Sequence, residues 1–326
     1  MNPILRSLAL AVTCVTLAAP ALAEEPKRPE CIAPAAPGGG FDLTCKLIQS
    51  GLLEQKLLSK PMRVTYMPGG VGAVAYNAVV AQRPADGGTV VAWSSGSLLN
   101  LAQGKFGRFD ENAVRWLAAV GTSYGAIAVA SDSPFKTLDD LVQALKKDPS
   151  QVVIGSGGTV GSQDWMQTAL IAKAAGINPR ELRYVALEGG GEITTALLGH
   201  HIQVGSTDIS DSMPNVIAGK MRLLAVFSDK RLEEPDMKDI PTAKEQGYDI
   251  VWPVVRGFYV GPKVSDEDYA WWKTTFDKLL ASEQFAKLRD DRELFPFALT
   301  GAELDTYVKK QVADYKVLAK EFGLIQ

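Results

Sequence analysis

Pro37-Gly38-Gly39-Gly40-Phe41-Asp42 stands between an apolar run, Glu30-Cys31-Ile32-Ala33-Pro34, and a stripe of Phe41, Cys45, Ile48 and Leu52 at helical spacing. The segment therefore reads as a buried strand that turns through glycine into an amphipathic helix. The same build returns at Pro68-Gly69-Gly70-Val71-Gly72-Ala73, after the run Met62 to Met67. In each, glycine lets the backbone turn tightly and directs several N–H groups at one spot near a positive helix end, which suits an anion. An isolated Gly-Gly pair is usually only a tight turn. Two on neighbouring strands suggest two carboxylates, or one carboxylate with ordered waters, at the carboxyl edge of a sheet where α/β folds place ligands.

Working outward, short apolar runs alternate with amphipathic stretches, the signature of an α/β fold with parallel strands and crossover helices. Strands are predicted at Glu30 to Pro34, Met62 to Met67, Thr89 to Trp93, Gly125 to Ala130, Val152 to Ser156, Leu182 to Ala186, Ile202 to Gly205, Arg222 to Phe227 and Arg256 to Val260. Ser265 to Leu280 and Ala302 to Phe322 read as packing helices, the latter with Leu304, Val308, Val312, Tyr315, Ala319 and Phe322 on one face. Neither an internal repeat nor a floppy linker is visible. A chain of 326 residues exceeds what one core usually supports, so two lobes are expected. Crossings are expected near Ser123 to Gly125 and Val251 to Gly257, giving 24–124 and 252–326 as one lobe and 125–251 as the other.

Arg6, the apolar run Leu8 to Ala19 and the small-x-small site Ala21-Leu22-Ala23 read as a leader removed after Ala23. The run is shorter than the ~20 residues a bilayer span needs, and Val12-Thr13 before Cys14 disfavours lipidation. With 34 basic and 37 acidic residues and a net charge of −3, the chain lacks the basic footprint of a nucleic-acid partner. Beyond the leader, Cys31 and Cys45 make an even pair in an oxidising compartment and read first as a disulfide, with two buried thiols as the alternative.

Hydroxyl- and glycine-rich turns recur later. Gly155-Ser156-Gly157-Gly158-Thr159-Val160-Gly161-Ser162-Gln163 and Glu188-Gly189-Gly190-Gly191-Glu192 each follow a predicted strand. If the lobes face each other, Ser156, Thr159, Ser162 and Gln163, with Glu188 and Gly189 of the second turn, become candidates for the far end of a ligand. The near end would be held by Gly38, Gly39, Gly40, Phe41, Asp42, Gly69, Gly70, Val71 and Gly72, with Ser95 and Ser97 after the third strand. Asp42 also suits a dipole-stabilising role in its helix's first turn, and Ser162 suits a helix N-cap. Gly70-Val71-Gly72-Ala73-Val74-Ala75 fits the dinucleotide pattern, but the next strand ends in Ser94-Ser95-Gly96-Ser97 with no acid for a ribose hydroxyl.

Catalytic signatures are scarce. The two histidines, His200 and His201, are adjacent on a predicted turn, and there is no G-x-S-x-G, H-E-x-x-H or G-x-x-x-x-G-K-[ST]. No metal site or cofactor is expected. Arg256, beside the second crossing, is the leading candidate cation, with Arg63, Arg115 and Arg222 behind it.

Four segments together resemble the extracytoplasmic receptors of tripartite tricarboxylate transporters, also called Bug receptors. They are Pro34 to Asp42, Tyr66 to Gly72, Ser133-Pro134-Phe135-Lys136-Thr137-Leu138-Asp139-Asp140-Leu141 and Ile240-Pro241-Thr242-Ala243-Lys244-Glu245-Gln246-Gly247-Tyr248. Glu30 to Cys45 and Trp252 to Tyr259 further resemble the tricarboxylate-binding member. The resemblance implies a Venus-flytrap fold, a periplasmic location, a citrate-like ligand gripped by the two glycine turns with second-lobe contacts from Ser156, Thr159, Ser162, Gln163 and Asp208, and delivery to a two-component membrane permease. The sequence departs from the commoner pattern by a third consecutive glycine at Gly40, by Phe41 before the aspartate, and by the Cys31/Cys45 pair. Another small mono- or dicarboxylate, or a metal complex of citrate, is the alternative ligand. A rival of another class is an exported enzyme acting on a carboxylic acid, which would need a titratable pair converging in the cleft; a sensory binding protein is a third.

Overall fold

The computed structural model describes residues 24–326, so the leader expected at 1–23 lies outside the described residues. Among the described residues ten strands and ten α-helices follow one another as β1 (Glu30–Ala33), α1 (Gly40–Glu54), β2 (Arg63–Tyr66), α2 (Ala73–Gln82), β3 (Thr89–Ser94), α3 (Ser95–Ala102), β4 (Arg115–Ala130), α4 (Leu138–Lys147), β5 (Val153–Gly157), α5 (Gln163–Ala174), β6 (Arg183–Leu187), α6 (Gly190–Leu198), β7 (Val204–Asp208), α7 (Ile209–Ile217), β8 (Met221–Val226), β9 (Pro253–Val260), α8 (Asp266–Leu280), α9 (Glu283–Asp290), β10 (Leu299–Thr300) and α10 (Gly301–Glu321). Among the described residues no helix is long and apolar enough to cross a membrane.

Two lobes each rest on a parallel trio, β2-β1-β3 in one and β6-β5-β7 in the other. The trios have the same order and the same strand-to-helix connections, so one topological unit occurs twice. Central strands such as β3 are buried at every position, as a strand covered on both faces must be. Antiparallel β4 and β9 join the halves. Residues Arg115 to Tyr124 of β4 pair with β9, whereas Gly125 to Ala128 pair with β7. The strand expected at Gly125 to Ala130 is thus the second half of a 16-residue strand, which passes between the sheets without a loop. Strand β7 also runs later than expected, to Asp208.

Packing follows the periodicities. Leu304, Val308, Val312, Tyr315 and Ala319 of α10 are buried, and Tyr315 stacks on Trp252 with ring centroids 5.9 Å apart. The segments Ser133 to Leu141 and Ile240 to Tyr248 serve the scaffold. Thr137 and Asp140 form a capping box on α4, and the free N–H of Leu138 donates to Gln246 Oε1 at 3.0 Å.

Cys31 and Cys45 are joined by a disulfide, with Cα atoms 5.8 Å apart and a sequence separation of 14. It closes a loop that contains the first glycine turn. Replacing both cysteines with alanine is expected to lower the unfolding free energy by about 3 kcal/mol in urea titration, the chain-entropy value for a loop of this size. A loss below about 1 kcal/mol would show that packing alone holds the loop.

Candidate functional site

The carboxyl ends of both trios open onto a cavity of about 260 Å³, small enough for one compact metabolite. The first lobe contributes Pro34, Ala35, Gly39, Gly40 and Phe41 after β1, Gly69 to Val71 after β2, and Ser94, Gly96 and Asn100 from β3 and α3. The second contributes Gly157 to Thr159 and Ser162 to Asp164 from the end of β5 onward, Ala186 to Gly190 from the end of β6, and Asp208 and Asp211 from the end of β7. Val254 and Arg256 of β9 and Lys105 also line it.

Helix starts supply the donors. The N-cap residues of α1 and α6 are Gly39 and Gly189, and neither start has a side-chain cap, so their first N–H groups are left for water or a ligand. The two starts come from opposite lobes and converge: a β-carbon at Gly39 would lie 4.0 Å from the Gly190 backbone nitrogen. After β2, Gly70, Val71 and Gly72 adopt φ of 61°, 53° and 105°. That conformation is uncommon for a β-branched residue such as Val71, and it sits at the cavity wall.

Several residues expected to touch the ligand brace the wall from behind. Asp42 is 2% exposed and turns away, accepting from Gly38 N–H at 2.8 Å, Lys46 Nζ at 2.8 Å and Tyr66 Oη at 2.9 Å. Burial would raise its carboxyl pKa, but these hydrogen bonds more than offset that and hold it below the ordinary value. Its role is to fix the first glycine turn, where Gly38 has a φ of 92°. Gly72 packs against Ser97, which belongs to a capping box with Ser94 and donates to the Val71 carbonyl at 3.2 Å. Ser95 Oγ accepts from Val255 N–H at 2.9 Å, and Ser156 Oγ lies 3.4 Å from Ser162 Oγ. Gly38, Asp42, Gly72, Ser95, Ser97 and Ser156 therefore lie outside the cavity lining, while Gly39, Gly40, Phe41, Gly69, Gly70, Val71, Thr159, Ser162, Gln163, Glu188, Gly189 and Asp208 lie in it. Ser162 also caps α5.

The floor holds a charge cluster that sequence spacing reached only in part. Arg256 Nη2 bonds Asp208 Oδ2 at 2.8 Å and Ser210 Oγ at 3.3 Å. Asp208 Oδ1 accepts from Ser123 Oγ, from Ser210 N–H at 2.9 Å and from Ser210 Oγ at 2.7 Å. A β-carbon at Gly40 would stand 2.6 Å from Arg256 Cζ, which is why the third glycine of the turn is needed. Arg63, Arg115 and Arg222 bond elsewhere and do not line the cavity.

Asp164 and Asp211 are wall residues absent from the predicted set. Burial pushes Asp164 up to about 7 against a hydrogen bond from Gly157 N–H, and Asp211's charge adds to the rise. Burial likewise raises Asp211 to about 7, partly opposed by Arg256 and reinforced by Asp208. Both sit in the first turn of a helix, where an acid is ordinary, so spacing gave no signal. Among the described residues, no group of three His, Cys, Asp or Glu is placed to hold a metal ion. His200 and His201 are exposed on the turn after α6.

Paired α/β lobes closing on a cavity at their strand ends define a two-lobed solute-binding protein of the periplasmic binding class. The chain belongs to the tripartite tricarboxylate transporter family receptors, whose model matches residues 45–324. A UPF0065 protein in the gbd 5' region of Cupriavidus necator is 26% identical over 330 residues, covering 97% of this chain and 95% of that one. The periplasmic binding protein BugD shares the fold with a TM-score of 0.82 at 20% identity, covering 92% of this chain and 99% of its own. An R. palustris protein solved with adipate superposes with a TM-score of 0.80 at 18% identity, covering 91% and 97%.

Proposed function

We propose that the chain captures a small carboxylate between its lobes in the periplasm, after removal of residues 1–23, and hands it to a two-component membrane permease. The observation that carries this is the convergence of two uncapped helix starts, Gly39 from one lobe and Gly189 from the other, on one cavity. The proposed contacts are Gly39, Gly40, Phe41, Gly69, Gly70 and Val71 on one side. Thr159, Ser162, Gln163, Glu188, Gly189 and Asp208 supply the other, with Arg256 on the floor. The lobes are taken as residues 24–124 with 252–326, and 125–251. The family supports the transport role, and the R. palustris protein solved with adipate supports a carboxylate ligand.

Charge favours a mono- or dicarboxylate over citrate. The wall carries Asp164, Glu188, Asp208 and Asp211 against Lys105 and Arg256, and Arg256 is already paired with Asp208. Three further negative charges would be buried beside unpaired acids, at a large desolvation cost. Asp164 and Asp211 are also the kind of titratable pair that an enzyme acting on a carboxylic acid would use. The receptor reading is preferred because the family is one of solute receptors and no histidine lines the cavity.

Thermal unfolding of residues 24–326 with millimolar citrate, tricarballylate, succinate, adipate, glutamate and nicotinate tests the proposal. A ligand at about 100 times its dissociation constant adds roughly 2.7 kcal/mol, so a mono- or dicarboxylate is expected to raise the midpoint clearly and more than citrate does. If no carboxylate raises it, the carboxylate reading fails; if citrate raises it most, the charge argument fails alone.

A further inference from the structure

The boundary between the lobes is built differently on the two faces of the molecule. On one face a single apolar core runs through it, with Leu98 of α3 and Val312 and Tyr315 of α10 in the same cluster as Trp165 and Met166 of α5. The chain just past α10 reaches over to the other lobe. Phe322 meets Trp165 edge to face, ring centroids 6.0 Å apart, and Lys173 Nζ lies 5.2 Å from the Phe322 ring centre. A β-carbon at Gly161 would stand 3.0 Å from Leu324 Cδ1. Polar contacts cross here too: Gln103 Nε2 donates to the Gly161 carbonyl at 2.6 Å, Lys105 Nζ donates to the Val160 carbonyl at 3.0 Å, and Lys173 pairs with Glu321.

On the opposite face the cores stay apart. The cluster beneath α1, with Leu47, Ile48 and Leu52, draws only on residues of 24–124 and 252–326. The buried residues of the cluster beneath α6 and α7, Ile193, Leu197 and Met213 among them, all fall within 125–251. Tyr124 and Phe295 pack against that second cluster from the first lobe, but they stand at the crossing itself, where Phe295 and Thr122 exchange backbone hydrogen bonds. Away from the crossing the lobes meet as bare backbone. A β-carbon at Gly39 would lie 4.0 Å from the Gly190 nitrogen, and one at Gly191 would lie 3.6 Å from the Gly38 carbonyl oxygen. Among the described residues no hydrogen bond or ion pair joins 37–41 to 188–192, and the two positive helix ends that face each other there do not attract.

We propose that the cleft opens on one side only: α3, α10 and α5 stay together as the pivot, tied by Phe322 and Leu324, and the lobes part where the start of α1 meets the start of α6. A guest then enters past Gly38 and Gly39 on one edge and Gly190 and Gly191 on the other. Opening on the pivot face would return apolar surface to water and break the contacts of Gln103, Lys105 and Lys173. Opening on the glycine face breaks nothing comparable. The edges of this door are also the helix starts proposed to hold the ligand, so a guest bonded to both is what shuts it. The glycines let the two backbones approach closely when shut and leave little contact to undo.

The inference rests on the two-lobed capture reading above but not on the chemistry of the guest, so it is tested without one. Residues 24–326 would carry spin labels on introduced cysteines, which the bonded Cys31 and Cys45 leave free to react. One pair, Leu53→Cys on α1 and Leu198→Cys on α6, spans the glycine face; the other, Val317→Cys on α10 and Ala174→Cys on α5, spans the pivot face, and all four positions are exposed. Pulsed electron resonance of the unliganded protein is expected to give a broad distribution for the first pair, extending beyond the distance in this structure by more than about 2 Å, the scale of a domain rearrangement. The second pair is expected to give one narrow distance. A wedge at the seam, Gly191→Trp, is expected to lengthen the first distance further and leave the second unchanged, whereas Phe322→Ala with Leu324→Ala is expected to broaden the second. A pivot-face distance that spreads as much as the glycine-face distance would overturn the inference, as would a glycine-face distance that stays single and short in the unliganded protein. If the wedge variant does not fold by circular dichroism, the labelled protein without it decides. Either failure leaves the carboxylate reading to the thermal panel, and a panel without any response leaves the door untouched.

Discussion

Arg256→Ala is expected to lower the unfolding free energy by about 3–5 kcal/mol, the usual cost of leaving one partner of a buried ion pair uncompensated. Arg256 and Asp208 are 3% and 4% exposed, and their 2.8 Å contact lies where the two sheets meet. Arg256 pairs with Ser94 and Gly121 in the first sheet, and Asp208 with Gly125 in the second. Without the guanidinium, Asp208 keeps its bonds from Ser123 and Ser210 but loses its countercharge. Removing both charges, with Arg256→Met and Asp208→Asn, is expected to cost much less, because burying a pair is itself expensive. Urea unfolding of the three variants at neutral pH measures the difference. A single-variant loss below about 1 kcal/mol would mean that the pair behaves as a solvated surface bridge.

The sequence carried much of this architecture because its signals are local. Strand, glycine turn and helix start lie within about a dozen residues around Gly39 and again around Gly70, and the structure places both turns at the same cavity. The stripe of α10 from Leu304 to Ala319 is buried as its spacing requires. Other features are not local. The first half of β4 is rich in small residues, Ala118-Ala119-Val120-Gly121, whose weak strand preference hid a strand defined by its partners on both sides. The duplicated topology left no sequence repeat, since what the lobes share is strand order and backbone turns, which many side chains satisfy. Asp42 carried two readings at once. Its position beside the glycines suggested a ligand contact, yet its spacing of four from Gly38 and from Lys46 already contained the brace that the structure forms.

Gly40→Ala is expected to weaken ligand binding by about 100-fold, roughly 2.7 kcal/mol, while Gly39→Ala changes it far less. The two substitutions add the same methyl group to adjacent positions, neither with a positive φ. At Gly39 the nearest atom outside the turn is the Gly190 nitrogen at 4.0 Å, an ordinary contact. At Gly40 the methyl would stand 2.6 Å from Arg256 Cζ. A free arginine would swing aside at little cost, but this one is held by Asp208 and Ser210. Either that buried pair breaks or the start of α1 lifts from the floor and takes its N–H groups out of line with those of α6. The decisive measurement is a double-mutant cycle with Arg256→Ala, read by titration with whichever carboxylate shifts the melting midpoint. Once the guanidinium is gone, the alanine at position 40 has room, so its effect should nearly vanish, the coupling expected of residues that meet directly. Equal losses from Gly40→Ala in both backgrounds would show that the third glycine serves the turn itself and not the arginine beneath it.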